Sequence, residues 1–450
     1  MWRTVSFVER VEVEFSGSIF NQAITLGDFD NDKGNELAVG NIDGDLCIFK
    51  GKGSHPWRKC TDLGMITCIG QGNLLSKEKI HLVCLTAEGW CHVFDVKPDR
   101  QEEDKKERDR EAEDDTCKTM KPFYSQHLPP NGKVMTIDDV DGDGKVELVV
   151  GYSDRVVRLF RWHSSGETTL DMDPKGTLTQ EDKWQLAGQI GSITTNISKD
   201  GTPQLLASQP GGTYVILLPS ASFSLQGDGR GQGHSNGSSR KDFLTTNFVY
   251  DPLVSSMARN SNVSTEILGA IRKGPITESS STEMLYSLCT LDGTLMLVEN
   301  GHILWSLQVD HQLFSLNKLD VTGNGKEEVV CCAWDGQTYI VNHSREVVRY
   351  QFEDSVAAFK AGHYAVAGND NVPCFLYATF NNKIYIYYNI SLPQMASTNL
   401  IEVMDKEERT HELLSRLNIK APTTKDMREL YHWCLYGWHA NTLFKGAKVD

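Results

Sequence analysis

The sequence predicts an all-β fold, a seven-bladed β-propeller closed by its own N-terminal strand and followed by a short C-terminal helical tail. Three observations predict it. The first is a unit that returns: AITLGDFDNDKGNELAVGNIDGDLCIFK (Ala23 to Lys50), VMTIDDVDGDGKVELVVGYSDRVVRLFRW (Val134 to Trp162) and, more weakly, LNKLDVTGNGKEEVVCCAWDGQTYIVN (Leu316 to Asn342). In each copy an apolar run ends in an acidic, Gly-containing loop, a glutamate follows, and two further apolar runs flank a tight turn. A unit this short cannot bury its apolar face alone and must stack on neighbours. The second is a set of seven turn pairs, each followed by alternating apolar residues: Asp43-Gly44, Glu88-Gly89, Ser153-Asp154, Gly211-Gly212, Asp292-Gly293, Asp335-Gly336 and Asn381-Asn382. These residue types tolerate the positive φ of tight hairpins. The third is spacing: the turns lie 45, 65, 58, 81, 43 and 46 residues apart, and the shortest intervals match a four-stranded blade.

Taken in order, Val5 to Phe15 (VSFVERVEVEF) is a β-type segment ahead of blade 1. Blade 7 runs out after KIYIYYNI at Ile390, one strand short, so the N-terminal segment is expected to supply its outer strand and close the ring. Closure removes the unpaired inner edge. Longer intervals hold insertions. Residues 97–121 are almost entirely charged and are expected to be disordered. The 220–240 loop is Gly/Ser-rich and flexible. Polar excursions at Lys273 to Glu283 and Ser164 to Asp182 account for the rest. The propeller is assigned to residues 1–392 and the helical tail to 393–450. In the tail, Thr423 caps a helix KDMRELYHWCLY that Gly437 ends. Met427, Leu430, Tyr431, Cys434 and Leu435 share one face of it. Packing of this face on the chain's own propeller is the first reading, and docking of a partner, with Met427, Leu430, Tyr431 and Leu435 as candidate partner-binding residues, is the second.

Composition narrows the function. A net charge of −15 argues against nucleic acid as the main partner and against a basic membrane-binding patch. No apolar run is long enough for a membrane helix. The N-terminus MWRTVSFVERVEVEF has no apolar core or small-residue cleavage site, which predicts a cytoplasmic rather than a secreted protein. The 11 cysteines are an odd number, and Cys47, Cys68, Cys84, Cys91, Cys289, Cys331 and Cys332 sit in strand-like runs, as small buried residues of a reducing compartment. No nucleophile carries a recognisable base, the 13 histidines form no metal-binding pair, and GDGRGQG (Gly227 to Gly233) lacks the Gly-Lys-Ser/Thr of a phosphate loop. No catalytic residue is assigned, and no enzyme activity is expected.

The acidic loops admit two readings. Asp28, Asp30, Asp32 and Glu36, and likewise Asp139, Asp141, Asp143 and Glu147, occupy positions 1, 3, 5 and 9 of a nine-residue loop. Alternate oxygens on a tight turn suit calcium, which takes six to eight oxygen ligands. Asp, Asn and Gly in such a loop also form Asx-turns without any metal. The structural turn is the first reading and calcium the second. The third copy, with Asp320, Thr322, Asn324 and Glu328, carries too little charge for a tight metal site.

GDFDNDKGNELAVG (Gly27 to Gly40) and DDVDGDGKVELVVG (Asp138 to Gly151) resemble the FG-GAP repeat of integrin α-subunit propellers. Both place glutamate where the integrin type has aspartate, and the first has Lys33 at position 6. Over the whole length, the charged insertion and C-terminal helices included, the chain resembles the intracellular FG-GAP-repeat proteins of the KICSTOR complex. That resemblance implies a non-catalytic scaffold subunit that assembles with kaptin, a very large scaffold subunit and a small helical subunit. It also implies recruitment to the lysosomal membrane without insertion. There the complex would recruit the GATOR assembly, which acts on Rag GTPases, and would restrain mTOR complex 1 on amino-acid or glucose shortage. The alternative is a calcium-responsive propeller that binds a protein or ligand.

Overall fold

The structure is a computed structural model that describes residues 3–76, 79–97, 117–165, 175–220, 248–251, 260–275, 284–392, 395, 412–414, 416 and 424–436. It has two units, Thr4–Met395 and a second comprising Met1–Arg3 with Ala396–Asp450. The first is the predicted propeller: seven sheets, each built on four antiparallel strands. Their inner strands, Ile24–Gly27, Ile66–Gly72, Gly132–Asp138, Ile193–Ile197, Thr265–Ile271, Leu313–Leu319 and Val356–Ala365, contact one another in order, and the seventh returns to the first.

The strands follow from burial. Second and third strands, such as Glu36–Gly40 (ELAVG), Leu46–Phe49 (LCIF) and His81–Thr86 (HLVCLT), are buried along their whole length because each blade is covered on both faces. Outer strands alternate, as in Gly176–Gln185, because one face meets water. Positive φ falls on the expected turns at Gly44, Gly89, Gly211, Gly212, Gly293, Gly336 and Asn382. In blade 3 it falls on Arg155 rather than on Ser153-Asp154. Gly191 shows how tightly blades abut: a Cβ there would lie 1.8 Å from the Thr265 carbonyl oxygen of the next blade.

Closure is as expected. Arg10–Glu14 pairs antiparallel with Lys383–Tyr388, setting Val11 opposite Ile386 and Val13 opposite Ile384. The N-terminal segment is not one strand over Val5 to Phe15, however. Its first part lies along blade 6, where the Val5 N–H donates to the Arg349 carbonyl at 3.1 Å. Phe7 then enters an aromatic cluster between blades 6 and 7, with ring centroids 4.7 Å from Tyr350 and 5.6 Å from Phe375. In the same cluster Phe352 stacks on Tyr377 at 4.4 Å. The N-terminus thus ties two blades rather than one.

Two insertions differ from expectation at their ends. Of the charged stretch 97–121, residues 98–116 lie outside the described residues, yet Lys118–Thr119 pairs in parallel with Arg58–Cys60 as a fifth strand on blade 1. The excursion at Ser164 to Asp182 includes most of a long hairpin, Val156–Ser164 with Gly176–Gln185. Of the 220–240 loop only Ser220 is described, where its backbone N–H donates to Asp182. In the second unit Thr424–Tyr436 is the expected helix. No described helix is long and apolar enough to cross a membrane.

Val13 is fully buried in the closing strand. Val13→Asp is expected to cost about 4 kcal/mol, the scale of an unpaired buried charge. Glu12→Ala, on the exposed face of the same strand, should change stability little. Chemical denaturation of both variants checks this, and a Val13→Asp chain as stable as wild type would mean the ring closes without this strand.

Candidate functional site

The eight acidic residues singled out from the sequence are brought together in two loops, each linking the first and second strands of a blade. In blade 1, Asp28 turns both carboxylate oxygens onto the loop backbone and accepts from Asp32 N and Lys33 N at 2.9 Å each. Glu36, fully buried at the start of the second strand, accepts from Phe29 N at 2.9 Å. Blade 3 repeats this: Asp139 accepts from Gly142 N at 2.7 Å and Gly144 N at 2.8 Å, and Glu147 accepts from Val140 N at 3.1 Å. Blade 6 does the same with Asp320 on Gly323 N and Gly325 N, and Glu328 on Val321 N. The position-1 aspartate and the closing glutamate are therefore the frame of the corner, needed because loop amides otherwise lack acceptors.

The remaining carboxylates face a basic side chain. Lys50 Nζ lies 2.6 Å from Asp30, 2.7 Å from Asp32 and 2.9 Å from Glu36. The Arg161 guanidinium lies 2.7 Å from Asp141, 3.2 Å from Asp143 and 2.7 Å from Glu147. The Asp30 and Asp141 side chains are nearly enclosed, at 1% and 4% exposure. Sequence reasoning missed both cations. A signal was present: each follows the first aspartate of its loop by 22 residues, and the same place in blade 6 is Asn342.

These partners decide the fit of a metal. Oxygens of Asp28, Asp30 and Asp32, and of Asp139, Asp141 and Glu147, lie close enough to share an ion. Asp28 and Asp139, however, are engaged with backbone amides, and the other four already bind an ammonium or guanidinium. A calcium ion at 2.3–2.6 Å from the same oxygens would sit against that cation. The residues present do not fit calcium.

One cation among three carboxylates leaves net negative charge in a buried place. Burial pushes Glu36 up to about 7, against the pull of Lys50. Burial likewise pushes Glu147 up to about 7, against Arg161. Burial alone would lower Lys50, but its hydrogen bonds to Asp30, Asp32 and Glu36 hold it above its ordinary range.

Nothing described forms a nucleophilic centre. Burial pushes the thiols of Cys68 and Cys91 up to about 12, so neither is a thiolate at neutral pH. In the tail helix Leu430 is buried at 6% exposure, while Tyr431 and Leu435 are exposed at 44% and 53%. The Met427 side chain lies outside the description.

Exposed aromatic residues gather on the propeller face opposite the acidic loops, among the hairpin turns: Trp90, Trp334 and Phe380. Trp334 stacks on Phe314 at 5.9 Å. Trp334 and Phe380 border a cavity of about 570 Å³ that Asp310, His311, Gln312, Asp335 and Ser355 complete. An adjoining cavity of about 370 Å³ adds Asp292 and Leu291. No lysine or arginine lines either cavity among the described residues.

Glu36 and Glu147 titrate near 7 when folded and near 4.5 when unfolded, so the folded chain binds protons more tightly between those values. Their contribution to stability is complete below the unfolded value and is lost as pH rises through about 7. The Tm advantage of wild type over Glu36→Gln/Glu147→Gln should therefore shrink between about pH 5 and pH 8. Calorimetric scans across that range check the sign, and an advantage that grows with pH would contradict it.

Comparison with known proteins agrees with this architecture. The family model described as "Integrin-alpha FG-GAP repeat-containing protein 2" matches residues 50–392. A Mus musculus protein named "KICSTOR complex protein ITFG2" is 44% identical over 436 residues, 96% of each chain. A Bos taurus protein of the same name is 45% identical over 408 residues, 90% of this chain and 75% of that one. Among solved structures, BBS1N from its complex with ARL6DN is similar in fold, with a TM-score of 0.57 at 13% identity over 88% of this chain and 100% of that one. The Cps50 (Swd1) β-propeller domain of Myceliophteria thermophila has a TM-score of 0.50 at 9% identity, over 86% and 99%. Repeat, ring and whole-chain similarity agree, and the chain belongs to the integrin-alpha FG-GAP repeat-containing protein 2 family.

Proposed function

We propose that this chain is a non-catalytic docking subunit of the KICSTOR complex. The names of its relatives support complex membership. The observation that carries the docking role is the hairpin-turn face, where Trp334 and Phe380 stand exposed beside a cavity bordered by Asp310 and Asp335. Exposed aromatic residues around a concave surface are the anchors of protein interfaces. Carboxylates without a lysine or arginine among them suit a basic segment of a partner subunit, and Trp334 offers a ring face for an arginine or lysine.

The partners in this reading are kaptin, the very large scaffold subunit and the small helical subunit, with the GATOR assembly reached through the complex. The place of work is the lysosomal surface, and the outcome is restraint of mTOR complex 1 when amino acids or glucose run short. The ring supplies rigidity, and no reaction is assigned to it. The tail helix is the second docking element, through its exposed Tyr431 and Leu435; Leu430, singled out with them and with Met427, is buried and not open to a partner.

Trp334→Ala/Phe380→Ala should weaken capture of the purified partner subunits by about 30-fold, the effect of losing about 2 kcal/mol at an interface centre, with Tm unchanged. A chain truncated after Leu392 should keep at least part of that binding. Full binding by the double variant together with none by the truncated chain would transfer docking to the tail.

A further inference from the structure

The FG-GAP type of loop implies calcium, and two of the loops in this chain are filled by its own side chains. We propose that Lys50 and Arg161 are resident cations that stand in for the divalent ion. Blades 1 and 3 are then locked independently of metal, and removing either side chain opens a calcium-responsive site.

Three observations carry this. First, two chemically different cations occupy the same register. Each sits 22 residues after the first aspartate, on or at the end of the third strand of its blade, and each faces positions 3, 5 and 9 of the loop. Strand pairing does not require a basic residue there, since blade 6 pairs its strands equally well with Asn342 at that place. Second, charge varies together within one chain. Where positions 3 and 5 are aspartates, a cation is present. In blade 6 those positions are Thr322 and Asn324, and the basic residue is absent too. The backbone of the blade 6 loop is nonetheless held by the same bonds from Asp320 and Glu328. Asp32 and Asp143 also accept loop amides, from Gly34 N and Lys145 N, but uncharged Asn324 accepts the equivalent bond from Lys326 N in blade 6, so it is the added charge, not the corner, that calls for the cation. Third, the cation is held from a second side in blade 1, where Lys50 Nζ lies 5.0 Å from the centre of the Trp57 ring.

Calcium would have to displace a tethered cation whose local concentration no free ion can match. Removing the tether leaves Asp30 and Glu36 enclosed, with the half-buried Asp32 beside them, and their charge uncompensated, which is unfavourable. A divalent ion that takes hard oxygen ligands can then relieve it.

The test uses the full chain, with EDTA or calcium chloride as the only additions. Wild type should unfold at the same Tm in both. Lys50→Asn and Arg161→Asn should each lose about 3 °C or more in EDTA and recover part of it in calcium. A second variant gives blade 1 the composition of blade 6: Asp30→Thr/Asp32→Asn/Lys50→Asn. It should regain most of the stability that Lys50→Asn loses and show no response to calcium, since paired changes in one network do not add. The inference is overturned if EDTA lowers the wild-type Tm or calcium titration of wild type releases saturable heat. It is overturned equally if Lys50→Asn ignores calcium, or if the triple variant is no more stable than Lys50→Asn alone.

Discussion

The pairing of Arg10–Glu14 with Lys383–Tyr388 is the contact that closes the ring. In six blades the four core strands come from consecutive stretches of chain. The seventh takes its outer strand from a segment more than 350 residues away in sequence. Until that strand arrives, blade 7 has a raw edge and its contact with blade 1 is unsupported. Such a pairing carries a loop-closure cost that grows slowly with length, so the large separation is tolerable once the blades stack. Phe7 strengthens the seam by entering the aromatic cluster shared by blades 6 and 7.

Within that ring the acidic corners are a second, local layer of order. In blades 1, 3 and 6 an aspartate and a glutamate hold the loop amides in one pattern. Blades 1 and 3 add two further carboxylates and a cation. The cation offsets part of the added negative charge around a partly enclosed centre, beside strands that are otherwise packed with Leu, Val and Ile. The face opposite these corners carries the exposed aromatic residues. Strand-to-strand order is thus concentrated at one end of the blades and recognition at the other, as expected when a rigid frame presents loops.

Several elements were readable because local chemistry dictates them. Turn pairs such as Asp335-Gly336 need positive φ, and unbroken apolar runs such as LCIF need two covered faces; both follow from residue type alone. The missing fourth strand of blade 7 was readable by counting. Outer strands were harder. Gly176–Gln185 (GTLTQEDKWQ) is largely polar because one face meets water, so it reads as a loop. Lys118–Thr119 lies at the end of a charged run, and its parallel pairing to Arg58–Cys60 depends on where the insertion returns to the sheet. Lys50 and Arg161 were hidden for a related reason. A basic residue in a strand normally marks the solvent side, and its real neighbours lie in a loop across the blade.

The sequence by itself determined the repeat, the number of blades and the frame residues of the corners. These are properties of residues near one another along the chain, where φ preferences, alternation and short hydrogen-bonded loops operate. The tertiary structure decided what fills the acidic corners, which half of the N-terminal segment closes blade 7, and which aromatic residues remain exposed beside Asp310 and Asp335. Those outcomes depend on distances between strands that the chain specifies only when the blades pack. A charge of one sign attracts whatever opposite charge the fold delivers, and here the fold delivers Lys50 and Arg161.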